Sequence, residues 1–159
     1  MATVILTCGK LCSGKSTYAR KLQAERNAVL LSIDELTLAL FPEGAGDRHD
    51  LYAERSERYL LDLSLQILKA GTDVVLDWGL WTRAVRARVR GFYTSRGIPC
   101  ELHYLRVPAE EWARRIARRN AQLQSGGTSA YFVDEGLLRK AESLFEEPAP
   151  EEIDRIIDC

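Results

Sequence analysis

Short apolar runs alternate along the chain with longer segments whose apolar residues recur every three to four positions. An unbroken apolar run predicts a buried strand, whereas the longer period predicts a helix with one buried face. The runs that predict strands cover residues 3–7, 28–33, 73–77, 100–107 and 153–157, and a helical turn is the alternative for the last of these. The segments that predict helices cover residues 16–26, 50–70, 82–96, 109–122 and 134–145. Strands that alternate with helices are typical of a mostly parallel sheet with both faces covered, so the pattern predicts an α/β domain.

Glycine and proline mark the breaks between these elements. Gly71 and Gly97 follow predicted helices at the position of a left-handed cap. Residues 41–47 contain a proline and two glycines, which exclude regular structure there, and residues 124–129 predict a mobile loop. No repeat, low-complexity tract or linker divides the chain, so we expect a single domain over residues 1–159.

The composition is that of a globular protein, since 46% of the 159 residues are hydrophobic and the formal net charge is −1. A charge near zero argues against a protein whose affinity comes mainly from neutralising the phosphates of a nucleic acid. No apolar run approaches membrane-spanning length, and the N-terminus enters a predicted strand without a basic signal region. The four cysteines and two histidines lack metal-ligand spacing, so we expect a cytoplasmic protein without a transition-metal site.

The most specific feature is the stretch G-K-L-C-S-G-K-S-T at residues 9–17. It matches the phosphate-binding loop pattern G-x-x-x-x-G-K-[ST], and it lies between a predicted strand and a predicted helix, as that loop requires. The alternative is a glycine-rich turn that merely precedes a helix. The predicted nucleotide-binding residues are Gly9, Lys10, Leu11, Cys12, Ser13, Gly14, Lys15, Ser16 and Thr17.

The residue types in this stretch have physical reasons. Gly9 and Gly14 let the backbone N–H groups turn inward toward an anion, beside the positive end of the following helix. Lys15 would reach the β- and γ-phosphates of a triphosphate, and the Ser16 hydroxyl would complete a Mg²⁺ shell. The stretch therefore predicts that the chain binds a nucleoside triphosphate with Mg²⁺.

Two aspartates, Asp34 and Asp77, directly follow the second and third apolar runs. In parallel sheets ligands bind at the carboxyl ends of the strands, so both side chains should emerge beside the phosphate loop. Two carboxylates there suit two tasks in phosphoryl transfer, one accepting a proton from a hydroxyl and the other holding Mg²⁺. The alternative for each is a helix cap.

An arginine-rich helix follows the fourth predicted strand. Arg115 and Arg119 share one stripe of this helix, and Arg114 and Arg118 share the next. Arginines one turn apart beside a glycine-rich segment predict a lid that closes over a phosphate chain and stabilises charge on a transferring phosphoryl group. The alternative, a solvated basic face, is expected for at least two of the four.

Aromatic and basic residues just beyond Asp77 predict an acceptor pocket. Trp78, Trp81 and Arg83 lie where an acceptor would stack or pair. An ordinary core contact is an equal alternative for each tryptophan. Arg83, Arg86 and Arg90 line one helix face, where they could bind a phosphate-bearing acceptor, and a solvated face is the commoner alternative.

In order, these features resemble the small P-loop kinases of the polynucleotide-kinase, zeta-toxin and chloramphenicol-phosphotransferase type. The resemblance rests on the loop at 9–17, the aspartate after each of two strands, the arginine pair, and the stretch F-E-E-P at residues 145–148. It covers nearly the whole chain and implies a three-layer P-loop NTPase fold with a five-stranded parallel sheet in the order 2-3-1-4-5. It also implies a short arginine-bearing lid at about residues 115–133, and ATP with Mg²⁺ as the phosphoryl donor.

The resemblance implies roles for individual residues as well. It makes Asp34 the general base and Asp77 a second carboxylate on the acceptor side or the metal side. Residues 145–150 would lie near the adenine. The residues that it makes phosphate-binding, metal-binding or lid residues are Lys15, Ser16, Arg115 and Arg119.

These inferences favour an ATP-dependent kinase that acts on a hydroxyl group of a small molecule. The polynucleotide kinases have an arginine three residues after the first aspartate, whereas this chain has Thr37, which disfavours a nucleic-acid 5′-hydroxyl as acceptor. Two further alternatives stay open. One is an ATP-binding or ATP-hydrolysing switch that acts on a macromolecular partner, and the other is a toxin-like kinase of an activated sugar.

Overall fold

The computed structural model describes residues 1–124, 139–140 and 143–159. The strands in this part of the chain are β1 (Val4–Cys8), β2 (Val29–Leu31), β3 (Val74–Leu76), β4 (Cys100–Arg106) and β5 (Arg155–Asp158). The α-helices are α1 (Lys15–Arg26), α2 (Ile33–Leu40), α3 (His49–Lys69), α4 (Arg83–Thr94) and α5 (Ala109–Gln124). Short 3-10 helices occupy Gly46–Arg48 and Pro150–Glu152.

All five strands form one sheet in the order β2-β3-β1-β4-β5, and every neighbouring pair is parallel. Strand β1 lies at the centre, where Ile5 aligns with Val75 of β3 and with Glu101 of β4. A parallel sheet needs helical crossovers that cover its faces, and helices do lie on both sides of this one. The predicted fold, a three-layer P-loop NTPase domain with strand order 2-3-1-4-5, is confirmed.

Alternate side chains of the central strand β1 pack into two separate hydrophobic cores, one on each face of the sheet. Val4 and Leu6 point to the face covered by α3 and α4, where they join a cluster that includes Leu60 and Tyr93. Ile5 points to the opposite face, in a cluster with α1 residues. This division follows from the two-residue period of a strand. It fixes α1, and with it the phosphate loop, on one side of β1.

The structure differs from the sequence-based prediction after the second strand. Strand β2 ends at Leu31 and α2 begins at Ile33, whereas the apolar pattern extends the strand to residue 33 and predicts no helix there. Ser32 caps α2, because its Oγ accepts a hydrogen bond from the Glu35 N–H over 3.2 Å. Asp34 therefore lies in the first turn of a helix and not directly at a strand end.

Some predicted features lie outside the described residues. Residues 115–124 of the predicted lid form the end of α5, but residues 125–133 lie outside, as do most of the predicted loop at 124–129 and of the helix predicted at 134–145. In the described ranges, no helix combines the length and apolar character that crossing a bilayer requires.

Candidate active site

The loop between β1 and α1 is a tight backbone turn whose glycines are required by space and by φ. A Cβ at Gly9 would lie 2.6 Å from Ser13 Oγ and 3.1 Å from the Leu105 carbonyl oxygen. Gly14, with φ of 93°, precedes α1 in the left-handed region. Ser13 N–H donates to the Lys10 carbonyl over 3.1 Å and closes the turn. The loop thus has the compact form that a phosphate-binding loop requires.

Two loop side chains reach residues that follow β3. Lys15 Nζ donates to the Trp78 carbonyl oxygen over 3.3 Å, and Ser16 Oγ donates to Asp77 Oδ2 over 2.8 Å. Strands β1 and β3 are hydrogen-bonded neighbours, so the sheet brings the start of α1 and the end of β3 together. The predicted association of Asp77 with the loop is therefore present.

The oxygen atoms at Ser16 and Asp77 fit Mg²⁺. Magnesium is held in proteins by one or two carboxylate or hydroxyl oxygens, and its remaining ligands are waters and substrate phosphates. In the described ranges no group of three or more histidine, cysteine, aspartate or glutamate residues could hold a metal by itself. Ser16 Oγ and Asp77 Oδ2 are oxygen donors of the kind that hold Mg²⁺ together with phosphate oxygens.

Asp34 lies in the electrostatic field of the loop. Nearby protein atoms raise the pKa of its carboxyl group by desolvation, although the residue is exposed at the surface. Lys15 opposes this pKa shift and Asp77 reinforces it, with smaller opposing effects from His49 and Arg119. A carboxyl group with a raised pKa, beside a lysine and a second carboxylate, is an arrangement found at catalytic sites.

Helix α5 packs directly on the phosphate loop. Trp112 and Ile116 are buried against Leu11 and Cys12, and Trp112 Nε1–H donates to the Leu11 carbonyl oxygen. The Lys10 ammonium lies 4.8 Å from the Trp112 ring centroid. Trp112, which anchors this contact, was not among the predicted site residues. Its position one turn before Ile116 on the arginine-rich helix was the available signal.

The packing of α5 brings one arginine stripe to the loop and leaves the other outside. Arg115 Nη1 donates to the Ser13 carbonyl oxygen over 2.9 Å, and Arg119 Nη1 donates to Cys12 Sγ over 3.4 Å. Arg114 and Arg118 are exposed, and Arg114 pairs with Glu111 of its own helix. The four arginines thus divide into two at the loop and two on the surface.

The structure corrects part of the predicted acceptor pocket. The Trp78 side chain is only 3% exposed and its Nε1–H donates to the Leu31 carbonyl oxygen, so it is a core residue. Arg83 Nη2 donates to Glu151 Oε1 over 3.1 Å in an exposed ion pair, and its role as an acceptor contact stays a prediction. Trp81 is half-buried, and its role as an acceptor contact stays a prediction.

The other arginines on the same face of α4 are neither solvated nor at the phosphate loop. Arg86 is 1% exposed, and its Nε donates to Glu152 Oε1 over 2.9 Å. Arg90 donates to the Glu152 carbonyl oxygen over 2.7 Å and to Asp154 Oδ2 over 2.7 Å. The arginine row therefore fastens the segment that leads into β5. Sequence reasoning missed this pairing, although the acidic residues at 151, 152 and 154 are complementary to the row.

Comparison with known proteins identifies the fold. The family model described as an AAA domain matches residues 4–148. No curated protein is similar enough in sequence to match the chain. A sugar kinase from a Janibacter species superposes with a TM-score of 0.65 at 19% identity, over 99% of this chain and 86% of that chain.

Two further solved structures were determined with nucleotide ligands. The APS kinase of Mycobacterium tuberculosis, in complex with AMPPNP and APS, has a TM-score of 0.68 at 18% identity, over 99% of this chain and 88% of that chain. Kti12 of Chaetomium thermophilum, in complex with ADP-AlF3, has a TM-score of 0.72 at 16% identity, over 98% of this chain and 88% of that chain. At these identities the likeness shows a shared P-loop kinase fold.

Proposed function

Because this chain belongs to the AAA domain family, with the fold of the P-loop kinases, we propose that it is an ATP-dependent kinase. It would transfer the γ-phosphoryl group of ATP to a hydroxyl group of a small-molecule acceptor. The observation that carries the proposal is the contact of the loop with the residues after β3, where Lys15 donates to the Trp78 carbonyl oxygen and Ser16 donates to Asp77. The carboxyl group of Asp34 lies within the electrostatic influence of Lys15 and Asp77. A phosphate-binding loop alone needs no such carboxyl group, whereas transfer to a hydroxyl needs a base.

On the donor side, the loop N–H groups and Lys15 would bind the β- and γ-phosphates of ATP. Ser16 and Asp77 would hold Mg²⁺, which neutralises phosphate charge when it is bound. Arg115 and Arg119 would stabilise the charge on the transferring phosphoryl group. Arg119 Nε is a buried donor without a hydrogen-bond partner in the described part of the chain, and a phosphate oxygen would satisfy it.

On the acceptor side, Asp34 would take the proton from the acceptor hydroxyl. The acceptor oxygen would then bond to the γ-phosphorus while the bond from that phosphorus to the bridging oxygen breaks, so ADP leaves. Asp77 is less suited to act as this base, because its carboxylate already accepts the Ser16 hydroxyl over 2.8 Å. The two aspartates would thus divide the two tasks expected of them.

The position of Thr37 supports a small acceptor rather than a nucleic-acid end. The polynucleotide kinases that the sequence resembles have an arginine here, but Thr37 is 2% exposed. Its Oγ1 donates to the carbonyl oxygens of Ile33 and Asp34, over 3.0 and 3.1 Å. A buried threonine bound to its own helix offers no charge to a nucleic-acid phosphate.

The four cysteines are free of disulfides, which suits a cytoplasmic location.

A transfer assay tests the proposal. The purified protein is incubated with ATP-Mg²⁺ and with sugars, nucleosides, antibiotics or 5′-hydroxyl oligonucleotides, and phosphorylated product is detected by mass. We expect one acceptor class to gain a phosphate, with transfer lost in Lys15→Ala and in Asp34→Asn. Binding of ATP without transfer to any acceptor would contradict the kinase proposal. Hydrolysis stimulated only by a macromolecular partner would favour a nucleotide-dependent switch.

A further inference from the structure

Residues 77–82 form a turn between β3 and α4 that carries two contacts of the donor site. Asp77 Oδ2 accepts the Ser16 hydroxyl over 2.8 Å, and the Trp78 carbonyl oxygen accepts Lys15 Nζ over 3.3 Å. A hydrogen bond is lost once its heavy atoms separate beyond about 3.5 Å, so a displacement of the turn by about 1 Å would disrupt both contacts. The position of this turn therefore sets the geometry of the donor site.

A buried arginine of α4 holds the turn. The Arg86 side chain is only 1% exposed, and its Nη1 donates to the Leu80 carbonyl oxygen over 3.0 Å. The Leu80 N–H donates in turn to the Trp78 carbonyl oxygen, also over 3.0 Å. The oxygen that receives Lys15 is thus joined to the Arg86 guanidinium through a single residue of the turn.

The Leu80 carbonyl oxygen also accepts a bond from the strand that precedes the phosphate loop. Cys8, the last residue of β1, donates from Sγ over 3.6 Å. Burial raises the pKa of Cys8 to about 11, against the opposing charges of Arg86 and Lys15. The thiol therefore keeps its proton and remains a donor. Because a thiol is a weak donor, the guanidinium makes the stronger of the two bonds.

Glu152 fixes the orientation of the Arg86 guanidinium. Arg86 Nε donates to Oε1 over 2.9 Å, and Nη2 donates to Oε2 over 3.4 Å. Glu152 is itself held, since Oε2 accepts the Ala149 N–H and its carbonyl oxygen accepts Arg90 Nη1, each over 2.7 Å. A planar guanidinium bound by both carboxylate oxygens has one orientation, which aims Nη1 at the Leu80 carbonyl oxygen.

Stability alone does not explain a buried ion pair at this position. Removing Arg86 and Glu152 from water costs about as much free energy as their attraction returns, and well-packed apolar side chains are often equally stable. The guanidinium fork, however, binds Glu152 and the Leu80 carbonyl oxygen together, which an apolar side chain could not do. Arg83, the other cation that acts on Glu152, is exposed and pairs with Glu151.

We propose that Arg86 is a positioning residue of the donor site, which acts through the Leu80 carbonyl oxygen to hold the Asp77 carboxylate in place. Arg86 itself would contact neither the nucleotide nor the metal. Magnesium demands nearly ideal ligand geometry, and groups that orient its ligands affect its affinity strongly. The inference rests on the proposed binding of ATP with Mg²⁺, and it does not depend on which acceptor is phosphorylated.

Calorimetric titration with the non-hydrolysable analogue AMPPNP, once in Mg²⁺ and once in EDTA, tests the inference. The ratio of the dissociation constant in EDTA to that in Mg²⁺ measures how strongly the metal promotes nucleotide binding. We expect this ratio to be about tenfold to a hundredfold lower in Arg86→Met than in the wild-type chain. A general loss of stability would weaken both titrations alike and leave the ratio unchanged.

Arg90→Met is the matched control on the same helix. In the described part of the chain, the hydrogen bonds of Arg90 go to Cys100, Glu152 and Asp154 and not to the turn. Its removal therefore loosens the segment before β5 and leaves the Leu80 carbonyl oxygen bound. The ratio in Arg90→Met should equal that of the wild-type chain. Equal losses in Arg86→Met and Arg90→Met would overturn the inference.

A double variant tests whether Arg86 acts through Asp77. The chain that carries both Arg86→Met and Asp77→Asn should show no lower ratio than Asp77→Asn alone, because the residue that Arg86 positions is already disabled. Effects that multiply would assign Arg86 to a separate role and overturn the inference. So would an unchanged ratio in Arg86→Met.

Circular dichroism shows whether Arg86→Met folds, and Arg86→Lys decides if it does not. The lysine keeps a positive charge beside Glu152 but has no fork to hold the Leu80 carbonyl oxygen at the same time. Its ratio should therefore fall in a folded chain. A wild-type ratio in folded Arg86→Lys would overturn the inference.

These outcomes are distinct from failure of the proposed function. A lowered ratio in Arg86→Met without transfer to any acceptor would leave the role of Arg86 intact and contradict the kinase proposal. Transfer from ATP with a wild-type ratio in Arg86→Met would do the reverse. Absence of all nucleotide binding by the wild-type chain would overturn both.

Discussion

The Ser16 hydroxyl donates a hydrogen bond to Asp77 Oδ2 over 2.8 Å, although the two residues are 61 positions apart. The bond joins the first turn of α1 to the end of β3, and it brings two oxygen ligands of the kind that Mg²⁺ prefers to the rim of the phosphate loop. Lys15 contacts the residue next to Asp77, through the Trp78 carbonyl oxygen. The donor half of the site is therefore held by two adjacent contacts between the start of α1 and the residues that follow β3.

The variant Asp77→Asn should raise the Mg²⁺ concentration needed for half-maximal activity by about tenfold to a hundredfold, because a neutral amide attracts a cation and its waters less than a carboxylate does. Titration of Mg²⁺ at fixed ATP measures the change. Nucleotide binding in EDTA should be the same in the variant and the wild-type chain. An unchanged Mg²⁺ requirement would contradict the metal-side role of Asp77.

The pH dependence of transfer should report Asp34. Its pKa is raised from the ordinary value of 3.8 by desolvation, and the base must be deprotonated, so activity should rise with pH through a midpoint above 3.8. The variant Asp34→Asn should no longer show this rise of activity with pH, and its kcat should fall about 10²- to 10⁴-fold while ATP binding is retained. A pH–rate profile of both proteins is the measurement. Equal loss of ATP binding and kcat would point to a donor-side role instead.

The same pKa shift has a consequence for stability. Between the unfolded and the folded pKa of Asp34, the folded chain binds more protons, so the free energy of unfolding falls as pH rises through that window. At neutral pH the Asn variant should therefore be at least as stable as the wild-type chain, as judged by thermal unfolding. A lower melting temperature would mean that the Asp34 carboxylate is stabilised in the fold.

The fold was largely predictable because apolar runs and glycine caps are local signals. Gly71, with φ of 86°, follows α3 as expected, and strands β1, β3 and β4 lie within one residue of their predicted bounds. Helix α2 was not predicted, because its residues 36–40 include four apolar side chains and a threonine that do not show a helical period. The Ser32 cap and the acidic first turn were the local signal for it.

The site was predictable where chemistry follows from chain position and less so where it depends on packing. Lys15, Ser16 and Asp77 meet because parallel strands end at the same edge of a sheet. The sequence did not reveal that Trp78 turns into the core or that Arg83 pairs with Glu151. Both depend on contacts with residues far along the chain, which no local pattern encodes.

Arg115 and Arg114 are adjacent residues whose surroundings predict different effects of alanine substitution on kcat/KM. Arg115 contacts the phosphate loop through the Ser13 carbonyl oxygen, whereas the Arg114 side chain is 67% exposed. Arg115→Ala should lower kcat/KM by about 10²- to 10³-fold through lost stabilisation of the transferring charge. Arg114→Ala should change it less than about twofold, because an exposed ion pair contributes little. Steady-state kinetics of the two variants decides, and equal effects would contradict the division of the arginines into two stripes.

Arg86 and Arg83 offer the corresponding comparison for stability. The Arg86 side chain is 1% exposed and its partner Glu152 is 14% exposed, whereas Arg83 and Glu151 are 61% and 64% exposed. Arg86→Met leaves a partly buried carboxylate unpaired and should lower the free energy of unfolding by about 3–5 kcal/mol. Arg83→Met should lower it by less than about 1 kcal/mol. Urea unfolding of both variants measures the difference.

The contribution of the Arg86 pair should also depend on pH. Burial acts to raise the pKa of Glu152, but the hydrogen bonds from Arg86 and from the Ala149 N–H outweigh it, so the net pKa lies below the ordinary 4.5. A lowered carboxyl pKa adds stability above the unfolded pKa, and that stability is lost as pH falls through the folded value. The difference between the wild-type chain and Arg86→Met should therefore be full at pH 7 and shrink below about pH 4.5. A difference that persists unchanged in acid would assign the loss to packing of the arginine stem and not to the ion pair.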